Sequence, residues 1–203
     1  MNLNDKEQNG QKPEKKYTPA QQFFRETRDV IVVLLAFMLI YIFCFRVVIV
    51  VGDSMYDTLV NGDRLVLISN VFYNDPKYGD IIVASKDSFR DGECIVKRVI
   101  ATEGQEVDID FVQGIVYVDG VALEEAYIYS ETKLYEGVSF PLTVEEGCVF
   151  VMGDNRMDSK DSRSTEIGLI DKREILGKAV FLLFPGRDEL TDTLDLKRIG
   201  GLY

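Results

Sequence analysis

The sequence has no histidine in its 203 residues. That absence removes Ser-His-Asp and Cys-His catalysis, and with them every zinc site that needs an imidazole. Acid–base chemistry near neutral pH must then come from a Lys, Asp, Glu, Tyr or Cys with a shifted pKa. Cysteine is scarce as well. Cys44 lies in an apolar run, Cys94 and Cys148 lie in separate strand-like runs, and their spacing fits no metal site. Cys94 and Cys148 read as two small buried thiols, with a disulfide between them as the alternative. A Cys nucleophile would have no imidazole to activate it. Positive charge is also short: the net charge is -11, which argues against nucleic acid as a partner. There is no internal repeat and no low-complexity segment.

The length suits one domain of ordinary size plus an anchor, able to bury a core without disulfides. Residues 1–20 are polar and rich in Lys, Glu, Gln and Asn, the composition of a disordered tail. A helix is expected to begin within residues 21–29. Residues 30–45 (VIVVLLAFMLIYIFCF) then run without a charge. No small-residue cleavage site follows the run, and no polar position recurs at helical spacing, so it reads as a transmembrane helix and not as a cleaved signal peptide or a core helix. Arg28 and Arg46 can snorkel to the two interfaces. The expected division is a polar tail over 1–28, a transmembrane helix over 29–46, and a catalytic β domain over 47–203. Lys6, Lys12, Lys15, Lys16, Arg25 and Arg28 precede the helix, and only Arg46 and Arg64 follow it closely. This asymmetry puts the N-terminus in the cytoplasm and the larger domain outside.

From Gly52 onward the pattern is β. Residues 47–51 are β-branched throughout and predict a first strand. Short runs follow (RLVLI, IIVAS, CIVKRVI, EVDID, CVFVM, AVFLLF), separated by turn signals such as NDPKYGD and RDGE and by the hairpin signal in GIVYVDG. This spacing predicts a compact, mainly antiparallel β fold.

Three segments carry candidate chemistry. In VVGDSMYDTL a β-branched strand delivers Ser54, and Gly52 permits a tight backbone; a serine in a turn is ordinarily structural, so this segment says little alone. In CIVKRVI, alternation puts Ile95, Lys97 and Val99 on one face and Val96 and Arg98 on the other, so one of two adjacent cations must face an apolar environment. Two readings stand: an edge strand with a protective inward lysine, or a buried lysine whose lowered pKa makes its amine a general base. The third segment, GDNRMDSKDSR at 153–163, is dense in Asp, Ser and Arg directly after an apolar run. It reads as a hydrogen-bonded scaffold beside a site.

Together these blocks resemble the type I signal peptidases, the Gram-positive type in particular. The blocks are residues 52–59 (GDSMYDTL), 78–83 (YGDIIV), 97–104 (KRVIATEG) and 153–163, in matching order and spacing, and the likeness runs from the anchor to about Gly186. The resemblance implies a Ser–Lys protease with Ser54 as nucleophile and Lys97 as general base. It implies that the Ser54 N–H contributes to an oxyanion hole, that Ser159 hydrogen-bonds the Lys97 amine, and that an Asp161–Arg163 ion pair braces the loop. Val50, Gly52, Met55, Leu59, Ile95 and Val96 would line shallow apolar pockets for Ala-x-Ala. The implied substrates are secretory preproteins, with membrane lipid and the translocation channel as partners and no cofactor or metal. Two departures stand out: Asp57 occupies a position where the family usually has Pro, and Gln105 one where it usually has Asp. A self-cleaving repressor and a catalytically silent β domain are the competing readings. The apolar helix weighs against the first, and the presence of both Ser54 and Lys97 against the second.

Overall fold

The computed structural model describes residues 18–86, 89, 93–188 and 191–202. Most of the polar lead-in and of the RDGE turn signal lies outside the described residues. The chain divides into two units, residues 1–41 and 42–203.

Helix α1 (Pro19–Cys44), most of which lies in the first unit, is long and apolar enough to cross a membrane and has no residue buried. At about 1.5 Å per residue it measures about 39 Å, more than the ~30 Å apolar core of a bilayer. It begins at Pro19, inside the stretch read from sequence as a polar tail. The cause is local. Thr18 Oγ1 accepts from the Gln21 N–H (3.4 Å) and Gln21 Oε1 accepts from the Thr18 N–H (3.1 Å), a reciprocal cap with Pro19 at the first helical position.

The second unit is built from antiparallel strands. β1 (Phe45–Ile49), β2 (Arg64–Ser69), β3 (Ile81–Ser85) and β4 (Cys94–Thr102) are followed by β5 (Glu106–Asp110), β6 (Ile115–Val118) and β7 (Val121–Ala122). β8 (Leu142–Thr143), β9 (Cys148–Met152), β10 (Ile170–Asp171), β11 (Ile175–Phe184) and β12 (Gly200–Gly201) complete the series. The larger sheet runs β1-β2-β11-β3-β4-β9-β10, with β12 also paired to β11; the smaller runs β7-β6-β5-β8. This is the mainly antiparallel β architecture expected from the strand spacing. Among the described residues, the only helices besides α1 are the single 3₁₀ turns Lys172–Glu174 and Leu196–Arg198.

The first strand starts two positions earlier than the β-branched run suggested. Phe45 and Arg46 are not the end of the helix, because they stand in register with Ile68 and Leu67 of β2 and the sheet ladder captures their backbone. The β6–β7 hairpin turns at Asp119 and Gly120, with φ of 52° and 75°, the pair of left-handed residues a two-residue hairpin loop requires.

β4 is paired on both sides, to β3 and to β9, so the edge-strand reading of Lys97 fails. It is also buried on both faces. Lys97 is 4% exposed and Arg98 2%, so both cations are interior where alternation alone called for one. The cysteines are free thiols, and Cys94 is exposed, not buried. Cys94 stands at the mouth of β4, before the strand enters the core.

Candidate active site

Ser54 sits on the connection between β1 and β2, a segment pinned at both ends. The Val50 N–H donates to the Asp63 carbonyl (2.8 Å) and the Gly62 N–H to the Val50 carbonyl (2.9 Å). Asp63 is itself clamped: it accepts from the N–H groups of Val60 and Gly186 and from Arg198 at 2.7 and 3.0 Å. Met55 and Leu59 bury their side chains beneath the turn, in one cluster with Val50 and Leu65. Gly52 has φ +84°, a left-handed conformation that strains any L side chain, so a serine at this position would need a different backbone. Among the described residues, the Ser54 N–H makes no intramolecular hydrogen bond, while the Ser54 carbonyl accepts from the Asn155 N–H at 3.0 Å.

Lys97 reaches this turn from the middle of β4. Its Nζ lies 2.6 Å from Ser54 Oγ and donates to the Val96 carbonyl at 3.1 Å. Burial is the largest influence on the amine. Asp161, Asp154 and Glu136 pull its pKa up and Arg163 pushes it down, and the balance is about 8, against an ordinary 10.5. A shift of that size costs about 3 kcal/mol of folding free energy at neutral pH, which the packing of the surrounding clusters must offset.

The loop after β9 surrounds this pair. Asp161 is fully buried and accepts from the Gly153 N–H (3.0 Å), Ser159 Oγ (2.8 Å) and Arg163 Nε (2.8 Å). Burial alone would push its pKa up, but the hydrogen bonds and charge of Arg163 hold the carboxyl below its usual range. Arg163 also donates to the Arg156 carbonyl at 2.8 Å. Ser159 therefore departs from the role the resemblance implies: its hydroxyl is bound to Asp161, and the hydrogen bonds of Lys97 go to Ser54 and Val96. Asp161, with two oxygens and a full charge, is the stronger acceptor. At Gly153 an added Cβ would fall on Ser159 Oγ and on the Ser54 carbonyl, so only glycine lets the two loops meet.

A groove of about 490 Å³ opens at the pair. Val50, Gly52, Met55, Ile95 and Val96 line it together with Ser54 and Lys97, and so do Val83, Phe89, Asp158 and Lys160. Leu59 is absent from the lining: it is fully buried and supports Met55 and Val50 from behind.

Several site residues escaped the sequence reading. Arg98 forks onto Asp154 at 2.9 and 2.6 Å, and Thr58 Oγ1 donates to the same carboxylate at 2.6 Å. Arg156 donates to Glu125 at 2.9 and 2.6 Å and to Thr132 Oγ1 at 2.7 Å. Glu136 stands 3.9 Å from Arg163 and 3.3 Å from Lys160. A charged pair inside a conspicuous loop was legible, but the partners that loop finds elsewhere in the chain were not. Of the two departures, Asp57 is exposed. Gln105 braces the β4–β5 turn, accepting from the Thr102 N–H at 2.9 Å and donating to Asp119 at 3.0 Å.

The sequence comparisons with known proteins agree with one another. The family model described as signal peptidase, peptidase S26, matches residues 24–184. Signal peptidase I of Bacillus licheniformis is 34% identical over 180 residues, covering 85% of this chain and 94% of that protein. Probable signal peptidase I-1 of Synechocystis is 36% identical over 173 residues, covering 81% of this chain and 84% of that one. A crystal structure of a signal peptidase I from Enterococcus faecalis V583 is 31% identical and covers 51% of this chain and 96% of its own, with a TM-score of 0.43. The assignment rests on the sequence matches: a buried amine held against a serine hydroxyl lies within a chain that belongs to the signal peptidases of the peptidase S26 family.

Proposed function

We propose that this enzyme releases signal peptides from secretory preproteins by Ser–Lys acyl transfer, cleaving after Ala-x-Ala-like sites. The observation that carries the reading is the 2.6 Å contact between Ser54 Oγ and a buried Lys97 amine whose pKa lies near 8. The neutral amine accepts the hydroxyl proton as Ser54 attacks the scissile carbonyl. The Ser54 N–H is available to the developing oxyanion. The protonated Lys97 returns the proton to the leaving amine, and once neutral again it draws a proton from the water that hydrolyses the ester. Asp161, held by Arg163, Ser159 and Gly153, acts on the lysine through its charge without touching the substrate.

The groove favours small residues at P1 and P3, where the apolar side chains of Val50, Met55, Ile95 and Val96 line it. Helix α1 (Pro19–Cys44), rather than the 29–46 span expected from sequence, anchors the enzyme in the membrane. The basic residues ahead of the helix place the N-terminus in the cytoplasm and the catalytic domain, 47–203, outside, beside lipid and the translocation channel.

The test is incubation of the full-length protein with a preprotein, followed by sequencing of the new N-terminus. Ser54→Ala and Lys97→Ala should each reduce cleavage to near background, and the double variant should be little worse than either single one. Activity retained in Lys97→Ala, with Ser54 still required, would rule out the dyad. Efficient cleavage after a P1 lysine or glutamate would rule out the specificity.

A further inference from the structure

The stretch 123–141, between β7 and β8, forms one isolated bridge, Gly137 with Ser164, and is otherwise irregular. It is nevertheless fastened to the loop after β9 at several points. The Tyr129 N–H donates to the Asp154 carbonyl (3.0 Å) and the Val138 N–H to the Arg163 carbonyl (3.1 Å). These are backbone contacts that ask for no particular side chain. The contact between Glu125 and Arg156 does.

Arg156 is fully buried, and the Glu125 side chain is 5% exposed. Both Nη atoms of the guanidinium donate to the carboxylate, at 2.9 and 2.6 Å, and Nη1 also donates to Thr132 Oγ1 at 2.7 Å. The carboxylate is itself steadied by the Tyr127 hydroxyl, which donates to it at 2.8 Å. A planar guanidinium gripped at both Nη atoms cannot turn, so the direction of its Nε–H is fixed as well. That N–H donates to the Gly153 carbonyl at 3.0 Å.

Gly153 is thereby held on both sides: its N–H goes to Asp161 (3.0 Å) and its carbonyl to Arg156. Its Cα stands where the Ser54 carbonyl and Ser159 Oγ leave no room for a side chain. Two residues on, the Asn155 N–H donates to the Ser54 carbonyl at 3.0 Å. The Ser54 turn therefore rests on residues 153–155, and that backbone is tied to Arg156. Without the Glu125 carboxylate the cation would be buried and unpaired, at a cost large enough to draw it out towards water. The Gly153 carbonyl would then be released.

We propose that Glu125, which lies outside all four blocks that resemble the family, is a positioning residue of the reaction. Through Arg156 it holds the Gly153 peptide, and with it the Ser54 turn, in the geometry where the hydroxyl meets the Lys97 amine. The inference rests on the proposed role of Ser54 as nucleophile.

The test compares the full-length wild type with Glu125→Ala, Glu125→Gln and Arg156→Lys on one preprotein. Initial rates give kcat and KM, and urea unfolding under the same conditions gives the folded fraction by which each kcat is corrected. Corrected kcat in Glu125→Ala should fall about tenfold, the scale of a small displacement at the reacting atoms. KM should stay within twofold, because the groove residues are untouched. Glu125→Gln, which still offers an oxygen to the guanidinium, should recover part of the loss. Arg156→Lys separates positioning from stability: its ammonium keeps the charge pair with Glu125 but cannot occupy the Nη and Nε positions together. It should fold like the wild type and still lose about tenfold in kcat, and it carries the test if Glu125→Ala fails to fold. A corrected kcat within twofold of wild type in folded Glu125→Ala, or in Arg156→Lys, would overturn the proposal. Cleavage that survives Ser54→Ala would instead overturn the acyl-transfer reading, and this inference with it.

Discussion

Raising the pH from 7 to 9 should raise kcat/KM about tenfold and then bring it to a plateau. The proposed base is Lys97, whose pKa burial lowers to about 8. With that value about 9% of the free enzyme carries the neutral amine at pH 7 and about 91% at pH 9. A lysine left near its ordinary value would behave differently: the same interval would give a rise of about a hundredfold, with no plateau before pH 10. The two profiles are distinguishable by initial rates of preprotein cleavage measured every half unit from pH 6 to 11. kcat/KM is the quantity to follow, because it reports the groups of the free enzyme. Lys97→Arg should be inactive throughout, since a guanidinium stays protonated. A profile already flat below pH 7, or one still climbing above pH 10, would refute the claim that burial of this amine prepares the base.

Further outcomes follow from the same geometry. Lys97→Met should make the protein more stable at pH 7, by about 2 kcal/mol once ~1 kcal/mol is allowed for the lost Ser54 contact. The sign follows from the unfolded chain binding the extra proton between pH 8 and 10.5, so wild-type stability rises through that window and the advantage of the variant fades above it; urea unfolding at pH 7 and pH 11 checks both halves. Gly153→Ala should lower kcat by about a hundredfold, because its Cβ displaces the Ser54 carbonyl and Ser159; near-normal kcat in a folded variant would contradict this. Arg98→Met should cost about 3–5 kcal/mol by stranding the buried Asp154, and adding Asp154→Asn should recover part of the loss in thermal unfolding.

The strands and the pairing of Ser54 with Lys97 were legible because each rests on a local anomaly or a local period. Alternation in RLVLI and the Asp119–Gly120 turn need only their neighbours, and a lysine among β-branched residues stands out wherever its strand packs. Arg98 shows where this stops. Alternation allows one inward cation in CIVKRVI, and only the burial of β4 on both faces brings in the second. Its counter-ion, Asp154, lies 56 residues away, a pairing that no period encodes. The helix start shows the reverse. Its signal was local, Thr18-Pro19-x-Gln21, but polar composition masked it. The least legible quantity is the one on which the proposed chemistry depends. The pKa of Lys97 is set by what surrounds it: Asp161, left unpartnered in the same interior, would raise it further. Arg163, Ser159 and the Gly153 N–H satisfy that carboxylate, and the charge of Arg163 opposes it at the lysine. The scaffold loop thus keeps an acid near the Lys97 amine while limiting how far that acid raises its pKa, and this balance arises only once the loop has folded.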